Sequence, residues 1–243
     1  MRMIAFGKRN AKEILRDPLN LAFGLGFPLV LIVLLSAIQA SIPVSLFEID
    51  QLAPGICVFG LSFMTLFSAT LIARDRQSAL LQRLYTTPMT PTDFIMGYTL
   101  PILPISVAQS VVTYAAALCL GLEFSVNILY SIALIVPISL LYIALGLLFG
   151  SILNDKQVGG ICGALLTNLS AWLSGIWFDL ELVGGAFKSI AHALPFVHAV
   201  ELERAVLEGN PAGIFPHMWW VLAYASASLA LAVLLFLRQM KKQ

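Results

Sequence analysis

The sequence predicts an all-α, polytopic membrane protein with six transmembrane helices, and three observations predict it. The first is composition: of 243 residues, 59% are hydrophobic and only 11% are charged, with a mean hydropathy of +0.91. Soluble domains carry about 25% charged residues, so this balance belongs to a chain whose solvent is largely lipid. The second is a set of six apolar stretches of spanning length, at about 19–40, 53–73, 99–120, 128–151, 158–178 and 215–237. A membrane helix needs about 20 such residues. The third is the placement of Lys and Arg. With the N-terminus inside, twelve of the fourteen fall on the inner face, and only Lys188 and Arg204 fall outside. That bias predicts both termini in the cytoplasm.

The elements follow in order within a single domain, 1–243. Residues 1–17 are basic and amphipathic, with Met3, Ile4, Ile14 and Leu15 on one side and Lys8, Arg9, Lys12 and Arg16 on the other. This fits an interfacial helix in the membrane plane, or a basic leader that only sets orientation. Pro18 then turns the chain. The first apolar run is long and lacks a small-residue cleavage site, so no removable signal peptide is expected. Pro28, Pro101, Pro104 and Pro137 lie within spans, where neighbouring helices tolerate them. The connections at 41–52 and 121–127 are short and predict antiparallel neighbours. Gly146 with Gly150, and Gly159 with Gly163, have the spacing that lets helix backbones approach closely in lipid.

Residues 74–98, RDRQSALLQRLYTTPMTPTDFIMGY, form a polar island between the second and third spans. Ala79, Leu80, Leu84 and Tyr85 recur at helical spacing, Thr86-Thr87-Pro88 ends that helix, and Thr90 or Thr92 caps the next. A rigid helix between two bends can serve as a lever gripped from the cytosol, or can simply rest on headgroups. Residues 180–214 contain pieces too short to span, arranged around Pro195. They are expected as one or two short helices that dip into the outer leaflet or cap it.

Several chemistries are disfavoured. No Asp, Glu, Lys or Arg occurs inside the six runs, which argues against ion-coupled transport, proton relays and intramembrane catalysis. Glu48, Asp50, Glu123, Asp179, Glu181, Glu201, Glu203 and Glu208 are expected at the outer face. His192, His198 and His217 lack ligand or acid–base spacing. A lipid-modifying enzyme would have to use Asp179, Glu181, His192, His198 and Glu201. No phosphate-binding loop is present, a net charge of +1 gives no nucleic-acid footprint, and Cys57, Cys119 and Cys162 read as apolar fillers. Polar groups in the second and fifth spans, Ser62, Thr65, Ser68, Thr70, Thr167, Asn168 and Ser170, either line a pathway or bond between helices. Asn168 is costly enough in lipid to face an interior. The set expected along a pathway is Ser62, Thr65, Phe67, Thr167, Asn168 and Trp172.

The island resembles the coupling region of type-2 ATP-binding-cassette exporter permeases, which often read RERETGTLERLLTTPLSPxxxxxGK here. The chain keeps Arg74, Asp75, Arg76, Leu81, Arg83, Leu84, Thr87, Pro88, Pro91 and Gly97, and departs at Ala79, Leu80 and Gln82. A second match, Ser174-Gly175 through Phe178 followed by Leu194-Pro195, Ala199-Val200 and Arg204, is similar to that family's SG … LP … R signature. The resemblance implies a non-catalytic permease, a homodimer by expectation, in a bacterial cytoplasmic (inner) membrane. It implies a separate cytosolic ATPase subunit that carries ATP and Mg, with no cofactor on this chain. Asp75, Arg76, Ala79, Leu80, Arg83, Leu84 and Tyr85 would take up the ATPase's movement. Phe178, Pro195, Phe196 and His198 would belong to an outer lid. The cargo would be amphiphilic: a drug, a lipid or a lipid-linked glycan.

Overall fold

The computed structural model describes residues 2–78 and 90–240, and among these every regular element is helical. Helix α1, Arg2–Leu15, buries Phe6, Asn10 and Ile14, four residues apart on one face, and leaves Lys8, Lys12 and Arg16 exposed. The face is fixed by a close approach to Gly97: a Cβ there would lie 2.3 Å from the Phe6 ring. Asn10 Nδ2 donates to the Gly97 carbonyl at 3.0 Å. Asp17 caps the next helix by accepting from the Asn20 amide, and Pro18 stands at its start, where a missing N–H costs nothing.

Among the described residues five helices are long and apolar enough to cross a membrane: α2, Pro18–Gln39; α3, Ile49–Gln77; α4, Pro91–Cys119; α5, Asn127–Ile152; and α10, Pro211–Met240. In α2, Pro28 removes the amide that the Gly24 carbonyl would use, and the preceding turn Ala22–Gly26 widens to π geometry. Thr90 is the cap that starts α4. Its hydroxyl accepts from the Asp93 amide and Asp93 accepts from the Thr90 amide, a complete capping box.

The expected fifth span, 158–178, differs. Helix α6 runs through Asp155–Val158, a π segment Gly159–Leu166, and Thr167–Trp172, where it stops. Its first turn holds Asp155, Lys156 and Gln157, and Gly175 then turns the chain at a φ of 72°. The helical part is therefore both shorter and more polar than the apolar run suggested. Beyond it lie three short helices around Pro195: α7, Leu180–Val183; α8, Gly185–Ala193; and α9, Pro195–Leu207.

Helix α3 is the axle. In its apolar window 94% of residues are buried, against 22% for both α2 and α10, which present bare Val30, Val33, Leu231 and Leu234 outward. Helix α3 packs on α2, α4, α5, α6 and α9. Its tightest crossing is with α5 at Gly146 and Gly150, where the Thr65 hydroxyl also donates across to the Tyr142 carbonyl at 2.8 Å. The other small pair is looser: among the described residues a Cβ at Gly159 meets nothing within 4 Å, and one at Gly163 would make ordinary contact with Leu66 of α3 at 3.4 Å.

Candidate functional site

The basic end of the bundle is organised by three consecutive residues at the end of α3. Asp75 is 1% exposed, and its Oδ2 accepts from Arg9 Nη1 of α1 at 2.6 Å and from the Tyr98 hydroxyl of α4 at 2.7 Å. Arg76 Nη1 donates to the Gly150 and Leu153 carbonyls at 2.8 and 3.2 Å. These are among the last carbonyls of α5, which have no partner inside their own helix. Arg74 lies 3.4 Å from both Asp17 and Asp155, the residues that open α2 and α6. Alternate charges thus send α3 in three directions and tie it to five other helices. These three residues are the start of the island. Of the island residues expected to meet an ATPase, Asp75 and Arg76 are seen here. Ala79, Leu80, Arg83, Leu84 and Tyr85 lie outside the described residues.

On the side of the bundle between α2, α3 and α6 is a cleft of about 310 Å³. Its wall is aromatic: Phe59 and Phe63 meet edge to face with centroids 6.0 Å apart, Phe27 lies 5.9 Å from Phe63, and Trp177 lies 6.1 Å from Phe59. Thr167 and Asn168 contribute the polar groups. Thr167 is buried and donates to the Cys162 carbonyl, while Asn168 is exposed with its amide on the Ala164 carbonyl. Trp172 is exposed nearby, one turn on from Asn168. Ser62, Thr65 and Phe67 are placed differently, packed inside the helical bundle, with Phe67 against Gly24. Such a cleft can hold an apolar body and orient it through one amide.

At the far end, the two halves of the SG … LP … R pattern meet. Arg204 donates to the Gly175 carbonyl at 3.2 Å and the Gln51 carbonyl at 3.4 Å while pairing with Glu201 at 2.8 Å. Phe178 is half-buried against Phe187, and Pro195, Phe196 and His198 are buried in α9. All three histidines of the chain gather here, although nothing in their sequence spacing suggests it. His198 Nε2 faces the His192 carbonyl at 3.0 Å, so that nitrogen carries the proton. His198 Nδ1 must then accept from His217 Nδ1 across 2.9 Å. Trp220 stacks on the same ring at 4.8 Å. Among the described residues no group of three acidic, His or Cys side chains could hold a metal.

Burial pulls the His198 imidazole below its usual range, against the hydrogen bond to the His192 carbonyl, and the charges of His217 and His192 push the same way as burial. A base whose pKa is lowered on folding stabilises the packed state above the free value and loses that contribution as pH falls below it. In a Glu203→Gln chain, which lacks the buried acid of α9 and its opposite pH dependence, limited proteolysis should therefore find the α8–α9 segment more open at about pH 5 than at about pH 7.5. Adding His198→Gln should shrink the difference. Equal cleavage of the Glu203→Gln chain at both values would contradict the geometry.

Two buried polar features fall outside the residues the sequence pointed to. Ser106, Gln109, Ser110 and Thr113 form a stripe on α4 at helical spacing, each at most 1% exposed, facing α3. Glu203, expected at the outer face with the other acids, is 0% exposed. The signal for it is its spacing: Phe196, Ala199, Val200, Glu203 and Val206 share one stripe of α9.

No curated protein matches the chain. A family model described as ABC-2 type transporter matches residues 2–207, which include the anchor, the cleft and the SG … LP … R junction. Five helices of spanning length and a family match over most of its length lead to one conclusion: this chain belongs to the ABC-2 type transporter family and is a multi-pass membrane component of a transporter.

Proposed function

We propose that this chain is the permease subunit of an ATP-driven exporter, acting as a pair and powered by a separate cytosolic ATPase that binds ATP and Mg. The supporting observation is the Arg74–Asp75–Arg76 anchor. A force applied to the island at 75–85 reaches α3 at residues that also hold α1, α4, α5 and α6, so it moves the bundle rather than bending one helix. In this reading the basic end and both termini face the cytoplasm of a bacterial inner membrane. Helix α6 and the turn after it complete a sixth crossing, backed by protein where the helix is short. The bare faces of α2 and α10 meet lipid, and a second copy closes over the aromatic cleft. An apolar wall with one amide suits amphiphilic cargo. The short outer helices α7–α9 close the far end.

Arg83 separates the lever from the anchor, because Arg76 also holds the end of α5. Arg83→Glu should insert and fold normally yet lower coupled ATP hydrolysis at least about tenfold, the effect of about 1.4 kcal/mol at a contact. Reconstituted hydrolysis and export at wild-type levels would remove the lever from the account.

A further inference from the structure

The interior of α9 holds a charge-bearing group that transport through the aromatic cleft does not use. Glu203 is fully buried and forms no ion pair among the described residues. Its Oε1 accepts from the Tyr114 hydroxyl of α4 at 2.9 Å, and its Oε2 has no hydrogen-bond partner among the described residues. The titratable groups that face it are Tyr114 and, on α3, Cys57, which is also 0% exposed. Helix α5 contributes Ser131 beside the Tyr114 hydroxyl. Neither α5 nor α10 brings a charged group to the carboxyl among the described residues. On α9 itself, Glu201 and Arg204 pair with each other on the other face.

A carboxylate in this place would be an uncompensated charge with a single neutral donor. A carboxylic acid would leave one O–H unpaired. The first costs far more than the second, because an isolated charge in a low-dielectric interior is much the worse of the two.

We propose that Glu203 is a proton-binding site: it carries a proton on Oε2 while α9 is packed, and loses it to outside water when α9 lifts from α3, α4 and α5. The bond formed and broken is Oε2–H, and the proton is exchanged with water on that side. Opening of the outer helices is thereby linked to release of about one proton per chain. Burial pushes the Glu203 carboxyl up to about 8, with the Tyr114 donor acting in the opposite sense. An acid raised in the packed state favours packing below the ordinary carboxylate range. That advantage falls as pH climbs toward the raised value and is constant beyond it. The binding of the proton stands apart from the export reading; only its link to transport rests on α9 moving in the cycle.

Infrared difference spectra of the full chain in lipid nanodiscs test the site. Between about pH 6 and about pH 10 the wild type should lose a carbonyl band of a protonated carboxylic acid. The band should be missing in Glu203→Gln, and in Tyr114→Phe its midpoint should move upward because a donor to the carboxylate is gone. A band that persists in Glu203→Gln, or that titrates as a surface carboxylate, overturns the site. The link is read by alkylation of Cys57, which lies near the carboxyl, with Glu203→Gln as the reference for the thiol's own pH dependence. The ratio of the two rates should rise by up to about tenfold per pH unit from about pH 5 to about pH 8 and then level off. A constant ratio would overturn the link, whether or not an ATPase drives the chain.

Discussion

Asp75→Ala loosens the basic end of the bundle, with an expected loss of about 2–4 kcal/mol of stability and, in the proposed export reading, of coupled transport with it. The carboxylate is the common acceptor for Arg9 of α1 and Tyr98 of α4, and at 1% exposure it cannot be replaced by water without opening the packing. Removing one member of a buried pair typically costs about 3–5 kcal/mol. The range here is set lower because Arg9 is 38% exposed and regains hydration, whereas the Tyr98 hydroxyl, at 0%, does not. Asp75→Asn should fall between Ala and the wild type, since an amide oxygen still accepts but carries no charge. Arg9→Ala and Asp75→Ala should add to less than their sum, because they break the same contact. A melt of the purified protein in lipid reads all of these. An Asp75→Ala protein that melts with the wild type would mean that the anchor carries no load. Full stability with ATP hydrolysis lost would place Asp75 in contact with the ATPase instead.

The anchor also shows which parts of the architecture a linear reading reaches. Apolar runs give α2, α3, α4, α5 and α10 to within a few residues at most ends, since a span of uniform hydropathy needs only length. The largest departure is α4, which starts at Pro91, eight residues before its apolar run, while α3 extends four residues beyond its run at both ends, through Asp50 and Arg74–Arg76, and there the anchor sits. Helix α6 defeats the same reasoning because the run at 158–178 joins a helix to a bent segment, and hydropathy does not register the turn at Gly175. The importance of Asp75 is visible through family resemblance, yet its partner Arg9 stands 66 residues away and only folding brings the two together. Glu203 is hidden for another reason. The sequence assigns Glu203 to the outer face with the other acids, although a helix turns it inward, onto the stripe that carries Phe196 and Val200. The three histidines come together from α8, α9 and α10, and no spacing rule spans those elements.

Gly146→Ala is the smallest change with a large expected effect, because the position has no room for one carbon. A Cβ at Gly146 would lie 1.8 Å from Ser68 Oγ and 2.5 Å from the Thr65 carbonyl. The hydroxyl can rotate away, but the carbonyl belongs to α3, the helix around which the rest is packed. The helices must separate, and separation also stretches the Thr65 bond to the Tyr142 carbonyl and the Ser68 contact with the Ile143 carbonyl. Overpacking a close-fitting core costs about 1–3 kcal/mol, and the blocked backbone places this case at or above the upper end. Gly146→Val should fail to assemble, leaving aggregated protein in size-exclusion profiles. Gly150→Ala should resemble Gly146→Ala, since its Cβ would meet the Ala69 carbonyl at 2.7 Å. Gly159→Ala has the same spacing motif but open space around it, and should leave the chain's stability within about 0.5 kcal/mol of wild type. The contrast isolates geometry from composition: if all three alanine variants melted alike, the α3–α5 crossing would not be the contact that fixes the bundle.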